Sequence, residues 1–197
     1  MLAHSKQILY LHPSKTGGTS VENCLLNYEL NLKDHDSLSR DQLIFYGLCH
    51  QRNMMHWNYH KLVNELPFLK GWFSFATVRH PYERVISEWK YQQSGEREGS
   101  SEAHEKDDIN LAIRSGSIKK CRWAYHWMPQ AFYIGPDTEI LRLENIEEDW
   151  RNLNLGVGDL GHFNASKSSG SYELTDESKQ IIQDAFPNDF EELGYDR

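Results

Sequence analysis

Apolar residues along the chain gather in a few dense runs, and the polar sequence between them carries helical spacing or turn residues. Gln7 to Leu11 (QILYL) has the length and composition of a buried strand. A turn-rich segment follows, His12-Pro13-Ser14-Lys15-Thr16-Gly17-Gly18. Thr19 or Ser20 then caps a helix through about Tyr28, with Val21, Leu25 and Leu26 on its apolar face. Asn31 to Asp41 reads as a loop, Gln42 to Tyr46 as a second strand, and Tyr59 to Leu66 as a helix. Trp72 to Val78 (WFSFATV) is the other strong strand, and Pro81 suits the first position of a helix running to Gln93.

Farther along, Gly95 to Asp108 is polar and acid-rich, an exposed loop. Ile109 to Phe132 is expected as two helices broken near Gly116, and Glu139 to Leu143 as a third strand with a helix to about Asn152. Gly156 to Ser171 reads as a long loop. Thr175 starts a last helix with Asp176 and Glu177 in its first turn, and Pro187 ends or kinks it. No internal repeat is present. Strands alternating with helices imply an α/β, P-loop-like, three-layer fold, with a central parallel sheet covered by helices on both faces. At 197 residues the expectation is one domain, 1–197.

Composition narrows the function classes. Hydrophobic residues at 39% and charged ones at 25% describe an ordinary globular chain. A net charge of −8 argues against nucleic acid as a partner, which needs a broad basic surface, but leaves room for a local pocket for one small anion. A long polyanionic acceptor fits less well, unless Lys119, Lys120 and Arg122 form part of a basic strip. Cys24, Cys49 and Cys121 lie far apart without a CxxC spacing, which suggests reduced thiols and no zinc. No run approaches the ~20 apolar residues of a membrane span. The chain reads as cytoplasmic; a lumenal Golgi domain trimmed of its anchor would read the same way.

The sharpest chemical feature is Lys15-Thr16-Gly17-Gly18-Thr19-Ser20 between a strand and a helix. Adjacent glycines let backbone N–H groups turn toward one point, and the helix start adds its dipole, an arrangement that attracts phosphate. Lys15 adds a mobile positive charge, and Thr16, Thr19 and Ser20 add hydroxyl donors. It is not a Walker A loop, in which the Lys follows the last Gly. The second feature, Phe75-Ala76-Thr77-Val78-Arg79-His80-Pro81-Tyr82-Glu83-Arg84-Val85-Ile86-Ser87, puts Arg79 at the carboxyl edge of the sheet, where α/β proteins bind ligands. A guanidinium grips phosphate at two points, and Ser87, two turns into the helix, adds a hydroxyl. A structural ion pair is the plainer role for Arg79, and pairing with Glu88 the plainer role for Arg84.

These two stretches, in this order, resemble the 5′-phosphosulfate loop and the 3′-phosphate segment of the carbohydrate sulfotransferases, in particular the heparan-sulfate 2-O-sulfotransferase-like group (sulfotransferase family 2). The resemblance continues through His126-Trp127-Met128-Pro129-Gln130, Leu141-Arg142-Leu143-Glu144-Asn145-Ile146 and Phe163-Asn164-Ala165-Ser166, and ends in Asn188-Asp189-Phe190-Glu191-Glu192-Leu193-Gly194-Tyr195. It implies transfer of a sulfonate group from 3′-phosphoadenosine 5′-phosphosulfate (PAPS) to an acceptor hydroxyl, with a carbohydrate as the expected acceptor and 3′,5′-adenosine bisphosphate as the product. Lys15 to Ser20 would hold the 5′-phosphosulfate, with Lys15 also stabilising the leaving oxygen. Arg79 and Ser87 would hold the 3′-phosphate, and the loop at Ser166, Lys167 and Ser168 would fold over the nucleotide. No metal is expected. The common Ile-Pro-Lys of the family loop is here Pro13-Ser14-Lys15, and acceptor-binding insertions are short, so acceptor identity does not carry over.

Sulfonate transfer needs a group to take the acceptor's proton, and a neutral imidazole with a pKa near ~6.5 suits it. His50 lies between the two phosphate motifs, in the region where relatives of the 2-O type keep a catalytic histidine, and the resemblance therefore implies it as the base. His56 is the reserve, as base or acceptor contact, and it lacks the glutamate and third ligand that would make a metal site with His60. His126 and Gln130 are weaker acceptor-site candidates, as is Glu144. Trp123, Tyr125 and Trp127 offer aromatic faces to a sugar or the adenine, although such clusters are more often core. Two other readings stay open: a P-loop small-molecule kinase, which would need Mg²⁺, and a non-catalytic module that binds a phosphorylated nucleotide.

Overall fold

The structure, a computed structural model, describes residues 1–34, 36–48, 54–93, 108–119, 124–161 and 172–197. These fall into two compact units: one within residues 1–78 and 132–165, the other within 79–131 and 166–197.

The first unit holds the sheet. Strands β1 (Leu2–Ala3), β2 (Ile8–Leu11), β3 (Phe73–Val78) and β4 (Glu139–Arg142) lie side by side in chain order. β2, β3 and β4 are parallel, with Tyr10 opposite Phe75 and Phe75 opposite Glu139. β1 pairs antiparallel with β2, an edge the apolar pattern did not announce. Successive side chains of a strand face opposite ways, and the core divides accordingly. Ile8, Tyr10, Phe75 and Leu141 pack with Val21, Leu25 and Leu26 of helix α1 (Gly18–Leu30) and with Trp150 of a later helix, Ile146–Leu153. Leu9, Leu11 and Ala76 pack on the other face with Leu62, Leu66 and Leu69. Both faces are covered, as expected. Each fully buried aliphatic side chain contributes about 1.5–3 kcal/mol.

Two expected elements fail to form, and the first helix is capped at Gly17 rather than at Thr19 or Ser20. The apolar letters of Gln42 to Tyr46 suggested a strand, but the segment lies in helix α2 (Arg40–Phe45). Ser39 and Gln42 close a capping box there, the Ser39 hydroxyl accepting from the Gln42 N–H and the Gln42 side chain from the Ser39 N–H. Satisfying two donors at once outweighs a five-residue strand pattern. Helix α3 (Tyr59–Glu65), capped by Asn58, falls where expected.

The second unit is helical. Helix α4 spans Pro81–Gln93 and buries Val85, Ile86 and Trp89 against Ile109, Ala112 and Ile113 of α5 (Ile109–Arg114). The second failure is here. After Gly116, at φ +73°, Ser117–Lys119 and Ala124–Trp127 are single tight turns, not a second α-helix. Once the first-unit helix α6 (Ile146–Leu153) is counted, the chain closes with α7 (Asp176–Ala185), capped by Thr175, and α8 (Pro187–Glu191), opened by Pro187. Ile182, Phe186 and Phe190 complete the core of this unit. Among the described residues no helix is long and apolar enough to cross a membrane.

Candidate functional site

In the first unit the chain leaves β2 and turns into α1 through the loop singled out above. Lys15 sits at φ +66°, a left-handed conformation costing a non-glycine residue roughly 1–2 kcal/mol, and Gly17 follows at φ +80°. Gly17 is the N-cap of α1 and, lacking a side chain, caps nothing. Both glycines are also close approaches. A Cβ on Gly17 would lie 2.7 Å from Leu143 Cδ1, and one on Gly18 would lie inside the His12 imidazole, 2.5 Å from Cε1 and closer still to Nε2 and Cδ2. The described residues contain four helices of eight residues or more; α4, α6 and α7 carry acids in their first turn, and α1 carries none. A helix N-terminus without an acid or a side-chain cap suits an external anion. Thr19 and Ser20 lie half-buried in the first turn.

Three further groups support this loop. His12 Nδ1 donates to the Glu22 carboxylate at 2.8 Å, both side chains being buried. Burial pushes the Glu22 carboxyl up, but the charge and hydrogen bond of His12, with smaller effects of the N-terminal ammonium and His56, outweigh it and hold the group below its ordinary range. Thr16 is fully buried; its hydroxyl donates to the Pro13 carbonyl at 2.7 Å and meets Thr77 Oγ1 at 3.0 Å, which in turn meets the Tyr10 hydroxyl at 2.6 Å. Thr16 therefore ties the loop to β2 and β3 through its side chain. His56, in the turn Met54–His56, places Nδ1 3.1 Å from the His12 carbonyl oxygen, with the two rings 5.3 Å apart. A carbonyl only accepts, so Nδ1 carries the proton and Nε2 is the basic nitrogen of the neutral ring. His60 lies exposed in α3, on a different element from His56.

In the second unit Arg79 is the first residue after β3. Its guanidinium meets Glu83 at 3.4 Å, a partly exposed contact one helical turn away. Such a pair is worth ~0–1 kcal/mol. Ser87, half-buried, lies one turn beyond Glu83 on α4. Gln130 is fully buried and binds the Arg79 backbone at both ends: the Arg79 N–H donates to Oε1 at 2.8 Å, and Nε2 donates to the Arg79 carbonyl at 2.8 Å. Arg84 is structural here, bonded to Asp189 at 3.5 Å and to the carbonyls of His126 and Met128 at 3.1 and 2.6 Å. His126 pairs through Nδ1 with the buried Glu88 at 2.8 Å.

His50, Ser166, Lys167 and Ser168 lie outside the described residues, as do Trp123, Lys120 and Arg122. Glu144 is exposed on the turn after β4. Among the described residues no cluster of three or more His, Cys, Asp or Glu is placed to hold a metal. Reading the sequence missed His12, Glu22, Tyr10, Thr77 and Asp189. His12 and Glu22 flank the glycine loop ten residues apart, a signal visible only once strand and helix are folded against each other. The family model described as "Sulfotransferase family" matches residues 1–196. Neither the curated proteins nor the solved structures compared give a match.

Proposed function

The chain belongs to the sulfotransferase family, and from that premise we propose that it transfers a sulfonate group from PAPS to a hydroxyl of a carbohydrate acceptor. One observation carries the choice of donor: a lysine and two glycines, in backbone conformations and contacts that few other residues tolerate, open a 13-residue helix without any acid in its first turn. That is a receptor for a phosphate-like group.

In this reading residues 1–197 work as one sulfotransferase domain. Backbone donors of Gly17 and Gly18 and the hydroxyls of Thr19 and Ser20 take the 5′-phosphosulfate, and Thr16 holds their loop in place. Arg79 and Ser87 take the 3′-phosphate, and Ser166, Lys167 and Ser168 close over the nucleotide. The acceptor oxygen attacks sulfur as the bond from sulfur to the 5′-phosphate oxygen breaks. The acceptor proton passes to a histidine, and Lys15 stabilises the charge developing on the leaving oxygen. The products are a sulfate ester, 3′,5′-adenosine bisphosphate and the proton. Among the described histidines, His56 suits the base, because its Nδ1 is fixed by the His12 carbonyl at the loop, which makes Nε2 the basic nitrogen of its neutral ring. His50, the expectation from sequence position, is the competing assignment. His126 and Gln130, proposed from sequence as acceptor contacts, are better explained as internal partners of Glu88 and Arg79.

The test is a melting scan with 3′,5′-adenosine bisphosphate, followed by an acceptor screen with PAPS read by mass spectrometry. A rise in melting temperature with saturable binding is expected, and turnover should survive EDTA. Lys15→Ala and His56→Ala should each abolish turnover while the nucleotide still binds; loss with His50→Ala alone would move the base there. A folded protein that ignores the bisphosphate but binds ATP with Mg²⁺ would replace this reading with a kinase. Binding without turnover on any acceptor would leave a nucleotide-binding module.

A further inference from the structure

Asp189 is a fully buried carboxylate in the C-terminal segment Asn188–Tyr195, far in sequence from both phosphate motifs. Its Oδ1 accepts from the Ala131 N–H at 2.9 Å, and its Oδ2 accepts from Gln130 Nε2 at 3.2 Å and faces Arg84 NH1 at 3.5 Å. Arg84 is itself immobilised by the two carbonyls described above and by the Phe186 ring, 5.2 Å from its guanidinium carbon. The carboxylate therefore has a fixed position and orientation.

That fixes Gln130. A carboxylate only accepts, so the amide nitrogen of Gln130 must face it, and the amide oxygen must face the other way. In this one orientation the side chain meets Arg79 with a donor against its carbonyl and an acceptor against its N–H. The clamp acts on the main chain of Arg79, at the two-residue link, Arg79 and His80, between β3 and α4. Among the described residues the guanidinium has only a weak, partly exposed contact with Glu83 to orient it. Its aim therefore depends on how its backbone is held.

We infer that Gln130 and Asp189 are positioning residues for Arg79, through which the C-terminal segment controls recognition of the nucleotide's 3′-phosphate. The inference rests on the assignment of Arg79 to that phosphate. Neither residue touches the nucleotide; Asp189 orients Gln130, and Gln130 orients Arg79. None of the bonds described here is made by a residue of the 5′-phosphate loop, so the two phosphates should respond differently when the network is cut.

The experiment compares affinities for 3′,5′-adenosine bisphosphate and adenosine 5′-phosphate by calorimetry on the full chain. The unsubstituted protein should prefer the bisphosphate by roughly 10- to 100-fold, the worth of hydrogen bonds to a charged group. Gln130→Ala and Asp189→Asn should bring that ratio close to 1 by weakening only the bisphosphate. Arg79→Ala should do the same, and adding Gln130→Ala to it should change the ratio no further. If Gln130→Ala does not fold, the isosteric Asp189→Asn carries the test. A ratio kept in folded variants, or equal losses for both nucleotides, overturns the inference and makes the network merely structural. A ratio near 1 in the unsubstituted protein overturns the assignment of Arg79 itself.

Discussion

The tightest constraint in the loop is the contact between Gly18 and His12, and Gly18→Ala tests it. The added methyl would lie 2.5 Å from Cε1 of the imidazole, with Nε2 and Cδ2 nearer still. An ordinary contact needs ~3.5 Å, so the ring must retreat by about 1 Å or more. It has little room to do so, since it is buried and its Nδ1 is bonded to Glu22 at 2.8 Å. A retreat of that size stretches the bond to about 3.8 Å, beyond hydrogen-bond range, and leaves a buried carboxylate unpaired at about 3–5 kcal/mol. The alternative is to push the start of α1 away, an overpacking cost of about 1–3 kcal/mol. The chain takes the cheaper course, so the loss is at least about 1 kcal/mol, or ~2–4 °C in a chain of this size. The helix start also moves, and bisphosphate affinity falls with it. Differential scanning calorimetry and calorimetric titration read the two effects. The decisive arm is the cycle with His12→Ala: once the ring is gone, Gly18→Ala should cost almost nothing more. Additive losses in the double variant, or a Gly18→Ala single variant that melts and binds like its parent, would refute the reasoning.

The remaining predictions concern single groups. Glu22 has a folded pKa below its ordinary 4.5, so the folded chain binds fewer protons there than the unfolded one. Its stabilising effect is complete above about pH 4.5 and lost as pH falls through the folded value; melting temperature against pH from 3 to 6 should show this in the parent and a flatter line in Glu22→Gln. Lys15→Gly removes a left-handed strain of roughly 1–2 kcal/mol and adds about 0.4–1 kcal/mol of unfolded-state entropy, so melting should stay level or rise slightly. Turnover should nevertheless drop by about 10²–10³-fold, since the leaving oxygen loses its cation. A variant with normal turnover would remove Lys15 from the chemistry. Cys24, whose thiol burial and the nearby Asp159 push up to about 11, should resist alkylation in the folded protein at pH 7, as peptide mass spectrometry would show.

What could be read from the sequence was whatever depended on neighbours along the chain. The strands at Ile8–Leu11, Phe73–Val78 and Glu139–Arg142 followed from dense apolar runs, and α4 began at Pro81 where a missing N–H costs nothing. The glycine loop was legible because its backbone demands are local. The segment at Gln42 was misread because five apolar-rich letters were weighed ahead of Ser39 and Gln42, although the capping box was written there as S-x-x-Q. Asp189 was not legible as a partner of Gln130. The two are 59 residues apart, and nothing in either segment encodes the pairing. His12 likewise passed for a turn residue until α1 brought Glu22 beside it.

The two proposed phosphate-binding segments, each within its own unit, solve one electrostatic problem in the same way. In the proposed reading a chain of net charge −8 receives a ligand that carries several negative charges, and the nearest carboxylates ought to repel it. Glu22 stands one turn into the very helix whose start is offered to the anion, and Asp189 stands behind Arg79. Each is buried and matched: Glu22 by the imidazole of His12, Asp189 by Arg84, Gln130 and a backbone N–H. Each orients a partner that holds the anion-binding backbone, His12 against Gly18 and Gln130 against Arg79. A carboxylate neutralised in this way works as a rigid acceptor whose field is largely cancelled at the ligand. Removing either partner would do double damage, freeing the backbone and exposing the charge. For that reason losses of anion affinity on replacing His12 should exceed what its contribution to folding alone would explain.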